Sequence, residues 1–139
     1  MSISDQTNKQ LCIIGESDPF LARLLGRFAE KSGLRVQSAR TGEEVLHLAQ
    51  RDRPVLVILE PELPGKLRGW EAARALRSSD QTGDIPLIIC AWLKKDEALA
   101  LAGPVSAYLQ KPDLHYKDFA VALAAAGVKT LSAESDSIA

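Results

Sequence analysis

Cysteine is scarce in this chain. Its 139 residues include two, Cys12 and Cys90, each inside an apolar run. Two are too few for the disulfide frameworks of small secreted domains, and no paired spacing suits zinc. Both read as small buried hydrophobes. An excess of one charge is also lacking. Lys and Arg number 17 against 18 Asp and Glu, a formal net charge of -1. No basic field exists to hold nucleic acid or an anionic membrane non-specifically. No apolar stretch approaches the roughly 20 residues of a membrane helix. The polar opening, Met1 to Gln10, has no apolar signal segment. These absences predict a cytoplasmic protein without nucleic-acid or membrane partners. Histidine is limited to His47 and His115, which read as solvent-exposed.

What is present is ordinary for a folded domain: 46% apolar and 25% charged residues. The length predicts one domain that buries a core without metal or disulfide staples. Residues 10–128 are expected to form it, between an N-terminal arm (1–9) and a polar, frayed C-terminal tail (129–139). Met1 and the polar tail suit a stand-alone protein.

Leu11-Cys12-Ile13-Ile14 is too short for a helix and reads as a doubly buried strand ended by Gly15. Asp18-Pro19 is an N-cap followed by proline at the first helical position. Phe20, Leu21, Leu24, Leu25 and Phe28 repeat at helical spacing until Ser32-Gly33. Arg35 to Ala39 is a weaker strand. Thr41 caps a helix from about Glu43 to Gln50. Val55 to Leu59 is β-branched and unalternated, the expected central strand. Gly69 to Ser79 is a helix, Leu87 to Cys90 a strand and Lys95 to Leu101 a short helix. Ser106 to Leu109 is the last strand, and a helix from about His115 to Ala126 ends at Gly127. Five strand–helix alternations predict an α/β fold, a doubly wound parallel sheet with helices on both faces. Ligands and reactive groups then gather at the carboxyl ends of the strands. Those ends are Gly15–Asp18, Glu60–Glu62, Ala91-Trp92 and Gln110–Pro112.

Several motifs fail there. A phosphate-cradling loop needs a Gly-Lys-Ser/Thr ending, but Gly65-Lys66 is followed by Leu67. No Gly-x-Gly-x-x-Gly follows the first strand. Gly15-Glu16-Ser17-Asp18-Pro19 resembles a serine nucleophile elbow with proline in place of the second glycine. A small hydrolase using Ser17, with His115 as base, is the enzymatic alternative.

The four strand ends together resemble the receiver domain of bacterial response regulators, the CheY-like family. The resemblance runs from about Lys9 to Val128. It rests on Ile13-Ile14-Gly15-Glu16-Ser17-Asp18-Pro19, Val57-Ile58-Leu59-Glu60-Pro61-Glu62-Leu63-Pro64-Gly65, Ile85-Pro86-Leu87-Ile88-Ile89 and Tyr108-Leu109-Gln110-Lys111-Pro112. It implies a flavodoxin-like three-layer sandwich of five strands in the order 2-1-3-4-5. It also implies signal transduction of the two-component, phosphorelay type. The partner would be a protein: a histidine kinase, an output domain or another signalling protein. In that family an acidic pair after the first strand helps hold Mg²⁺, and an aspartate ending the third strand accepts a phosphoryl group. A Ser or Thr ending the fourth strand and a Lys ending the fifth bind the phosphate, and an aromatic on the fifth strand acts as a switch. Carboxylate nucleophile, hard cation and lysine charge form a coherent phosphoryl-transfer set.

Mapped onto this chain, the phosphoacceptor position holds Glu60. The acidic pocket holds Glu16, Ser17 and Glu62, so one anionic metal ligand is lost. The phosphate-site positions hold Ala91, without a hydroxyl, and Lys111. Tyr108 keeps the switch aromatic, and Trp92 stands as a lid over the pocket. The extra C–C bond of Glu60 moves its carboxylate by roughly 1.5 Å, and errors near 1 Å cost about 10²-fold in rate. The expectation is a pseudo-receiver without catalysis or cofactor, any Mg²⁺ site at Glu16 and Glu60 being weak. A functional phosphoreceiver is the competing reading. Lys111 is expected to pair with Glu60 first and Glu16 second. Arg68, Arg74, Arg77, Lys94 and Lys95 read as solvated faces. The alanine-rich stretch Ala120 to Ala126, with the family's habit of pairing through its first and fifth helices, favours a homodimer.

Overall fold

Strand and helix alternate throughout the described residues. The structure, a computed structural model, describes residues 9–129; most of the expected arm and tail lies outside them. The strands are β1 (Leu11–Gly15), β2 (Arg35–Ala39), β3 (Leu56–Leu59), β4 (Leu87–Ala91) and β5 (Ala107–Gln110). The helices are α1 (Pro19–Lys31), α2 (Gly42–Asp52), α3 (Gly69–Ser78), α4 (Lys95–Ala102) and α5 (Tyr116–Ala125). All pairings are parallel, and the sheet order is β2-β1-β3-β4-β5.

The unalternated apolar strands are buried on both faces, as helices on both sides require. Ile13, Val57, Leu59, Leu87 and Ile89 meet α2, α3 and α4 through Val45, Ala72, Leu76 and Ala98. Cys12, Ile14, Ile58, Ile88 and Cys90 point the other way, to α1 and α5, where Leu25, Ala29, Phe119 and Leu123 pack. The two-residue period of a strand thus divides one sheet between two cores. Both cysteines are free and buried. Burial pushes both thiols upward, that of Cys90 to about 12.

Caps fall where the sequence places them. Asp18 accepts from the N–H groups of Phe20 and Leu21 at 2.8 and 3.3 Å, and Thr41 Oγ1 from that of Glu44 at 3.1 Å. Three strands end one residue later than the sequence suggests, β5 at Gln110 among them. Gly15 stays in β1 because its carbonyl accepts the Glu60 N–H at 2.9 Å. Ala91 stays in β4, its carbonyl accepting the Lys111 N–H at 2.8 Å. These two bonds fix the backbone of both residues at one end of the sheet.

The arginines of α3 also serve backbone carbonyls, Arg74 while exposed and Arg77 half-buried. Arg74 donates from Nε to the Leu101 carbonyl (2.7 Å) and from Nη2 to that of Ala100 (3.1 Å). Arg77 donates from Nη1 to the carbonyls of Gly83 (3.0 Å) and Ile85 (2.7 Å). Among the described residues no helix is long and apolar enough to cross a membrane.

Candidate functional site

The carboxyl ends of β1, β3, β4 and β5 bring Glu16, Ser17, Glu60, Ala91, Trp92 and Lys111 to one place. Gly69 permits this packing at the foot of α3: a Cβ there would lie 1.8 Å from the Glu60 carbonyl oxygen. Three charged side chains are buried together, Glu16 at 6%, Glu60 at 7% and Lys111 at 3% exposure.

Burying charges without partners costs several kcal/mol per ion, so the hydrogen-bond accounting decides what the cluster is. Lys111 Nζ lies 2.6 Å from Glu16 Oε1 and 3.7 Å from Glu60 Oε1. The expected order is therefore reversed: Glu16 is the primary partner. The contact is an ion pair with a bent approach, and neither Glu16 Oε1 nor Lys111 Nζ has a well-aligned hydrogen bond. The other Glu16 oxygen, Oε2, accepts the Asp18 N–H at 2.9 Å. Burial raises the Glu16 carboxyl above the usual carboxylate range, against the opposing pull of Lys111 and the Asp18 N–H.

Glu60 belongs chiefly to Ser17. Its Oε2 accepts the Ser17 N–H at 2.8 Å and the Ser17 hydroxyl at 2.8 Å, and that hydroxyl also lies 3.1 Å from Oε1. Sequence reasoning treats Ser17 as the loss of a metal ligand and misses it as a donor. The signal was available: a neutral donor beside an acid one bond too long reads as a compensated pair. Neither histidine is a hydrogen-bond partner of the Ser17 hydroxyl. His47 is exposed, and exposed His115 has its Nε2 3.2 Å from Asp113 Oδ1.

Glu62 does not join the pocket. Its side chain is exposed, between the buried Pro61 and Leu63. Ala91 is buried at the end of β4, a methyl group beside the charges. Trp92 is 56% exposed, yet the Lys111 ammonium stands 5.9 Å from its ring centroid, a cation–π distance. The indole lies against the buried lysine with much of its surface in solvent. Tyr108 is half-buried on the side of α2, α3 and α4. Its hydroxyl donates to the Leu93 carbonyl, and burial raises its pKa. Among the described residues no group of three or more His, Cys, Asp or Glu is placed to hold a metal ion.

A parallel sheet in this order, with charged side chains gathered at its carboxyl end, defines a flavodoxin-like α/β domain. Residues 12–124 match the response regulator receiver domain. The polar-differentiation response regulator DivK of Brucella anthropi is 32% identical over 102 residues, covering 72% of this chain and 82% of that protein. Among solved structures, the receiver domain of a sensor histidine kinase from Pseudomonas aeruginosa was determined with magnesium coordinated in its active-site cleft. It is 22% identical with a TM-score of 0.73, covering 86% of this chain and 98% of that one. The chemotaxis protein CheY4 of Vibrio cholerae is 19% identical with a TM-score of 0.72, covering 84% and 97%. These two likenesses speak to the fold. The chain belongs to the response regulator receiver domain family of two-component signalling.

Proposed function

We propose that this receiver domain has lost phosphotransfer and acts through contact with a protein partner. The observation that carries the reading is that both buried carboxylates are already engaged by groups of the protein itself, Glu60 by hydrogen bonds and Glu16 by an ion pair and one backbone N–H. Glu60 is held by the N–H and hydroxyl of Ser17, and Glu16 by Lys111 and the Asp18 N–H. A nucleophilic carboxylate would first have to leave Ser17. The phosphate-binding lysine is committed to Glu16, and the hydroxyl expected at the end of β4 is replaced by Ala91.

The same accounting bears on magnesium, which the family implies and the Pseudomonas domain holds. Mg²⁺ demands near-ideal octahedral oxygen geometry. Here one acid is neutralised by an ammonium at 2.6 Å, and the position beside it is a neutral serine. The donor set does not fit the ion. The cluster reads instead as a fixed structural plug at the end of the sheet, with Trp92 as its cover. Candidate partners are a histidine kinase, an output domain or another signalling protein. A second copy, through α1 and α5, is the homodimeric form of the same reading.

A direct test is ¹⁹F NMR of the protein with beryllium fluoride and Mg²⁺. The expected result is the spectrum of free fluoride species alone. A protein-bound signal lost in Glu60→Gln would overturn the proposal and return the chain to the working phosphoreceivers.

A further inference from the structure

We infer that the open edge of β2, with the groove between it and α1, is a docking site for an extended acidic segment of a partner protein. The inference rests on the protein-contact reading above and gives that contact a place and a chemistry.

β2 ends the sheet, with β1 on one side and no strand on the other among the described residues. The Arg35 N–H donates to the Gln10 carbonyl at 2.9 Å. N–H and C=O of one strand residue share a side, and sides alternate. Arg35, Gln37 and Ala39 therefore face β1, while Val36 and Ser38 turn their backbone donors and acceptors to the open edge. Edge strands are usually blunted by proline, bulges or shortness. β2 has no proline or bulge over its five residues in unbroken register with β1, and its one charged residue, Arg35, turns its backbone to β1.

The side chains of Val36 and Ser38 also line a groove of about 430 Å³ whose other wall is α1, with Ala22, Arg23, Gly26 and Arg27. Gly26 keeps it open: a Cβ there would meet nothing nearer than Val36 Cγ1 at 3.9 Å. A second hollow of about 250 Å³ adjoins it, sharing Glu30 and Val36 and adding Lys9 and Arg35. Lys9, Arg23, Arg27 and Arg35 thus border the two neighbouring hollows, against one acid, Glu30. Arg23 and Arg27 are exposed and enter no salt bridge among the described residues. In a chain of net charge -1, this is a local basic field beside unpaired strand backbone. Strand addition provides main-chain bonds, and the arginines select carboxylates on the added strand.

The test is a fluorescein-labelled peptide alternating glutamate with valine, added to the full chain. Anisotropy measures affinity, and ¹⁵N NMR shifts locate the site. Binding is expected with shifts at Val36, Ser38, Arg23 and Arg27. Arg23→Glu with Arg27→Glu should weaken it at least tenfold, as should exchanging the peptide's glutamates for lysines. A peptide N-methylated on alternate residues should not bind, a result independent of any change in the protein. No binding, shifts elsewhere, equal binding of the lysine peptide or retained binding of the N-methylated peptide would each overturn the inference. None of these results touches the loss of phosphotransfer, which the beryllium fluoride experiment decides separately.

Discussion

At the scale of single residues, Lys111 decides the energetics of the site. Lys111→Met leaves Glu16 buried without its cation, a loss of about 3–5 kcal/mol by analogy with other broken buried pairs. The carboxyl escapes part of that cost by holding its proton, so the penalty depends on pH. Burial already raises its pKa, and removing the lysine raises it further. Over the window from the ordinary glutamate pKa of about 4.3 up to the raised value, the folded state binds a proton that the unfolded state has released. Stability therefore falls as pH rises through that window, and more steeply in the variant. Urea unfolding across a pH series checks this; a variant deficit independent of pH would contradict it. Ser17→Ala removes one donor from Glu60 and keeps the backbone N–H, so a smaller loss of about 1 kcal/mol is expected. The members of this cluster were legible in the sequence because topology alone puts strand ends together. Their pairing was not, because 2.6 Å against 3.7 Å is set by side-chain torsions. The side chain of Glu62 was not legible for a related reason: it lies three residues beyond β3, where no alternation aims it.

At the scale of elements, the strands and helices were readable to within a residue or so because the apolar runs are unalternated and the caps explicit. What the sequence concealed is how elements hold one another. Helix α4 has no side-chain N-cap and no basic residue in its last turn, so Arg74 of α3 supplies its carboxyl-terminal donors. Arg74→Ala should speed amide exchange across α4 while leaving the sheet protected; unchanged exchange would show that the clamp is incidental. Glu43 performs a similar service for the β3–α3 loop, accepting the N–H groups of Lys66 and Leu67 at 3.2 and 3.3 Å. Those bonds, with its own backbone N–H, hold its carboxyl below the usual range. Glu43→Ala should accelerate exchange at Lys66 and Leu67 with little change in melting temperature. Gly26 lies inside the unbroken helix α1 without any need for left-handed backbone. Gly26→Ala should therefore stabilise the fold by roughly 0.5–1 kcal/mol, read by urea midpoint; a loss would mean the groove wall is tighter than its 3.9 Å clearance.

At the scale of the molecule, the receiver fold carries at its sheet end a buried Lys111–Glu16 ion pair beside a Glu60 held by Ser17. Glu60, Ser17 and Ala91 act on the same transferring group in a working domain, so their effects are coupled rather than additive. The account's central claim is that this cluster does not accept a phosphoryl group. Incubation of the full chain with acetyl phosphate and Mg²⁺, read by intact mass, tests it most directly. The predicted result is an unchanged mass for the natural chain and a partial gain of one phosphoryl group for the combined Ser17→Asp, Glu60→Asp and Ala91→Thr variant, increased when Trp92→Ala is added. A stoichiometric gain on the natural chain, abolished by Glu60→Gln, would contradict the account.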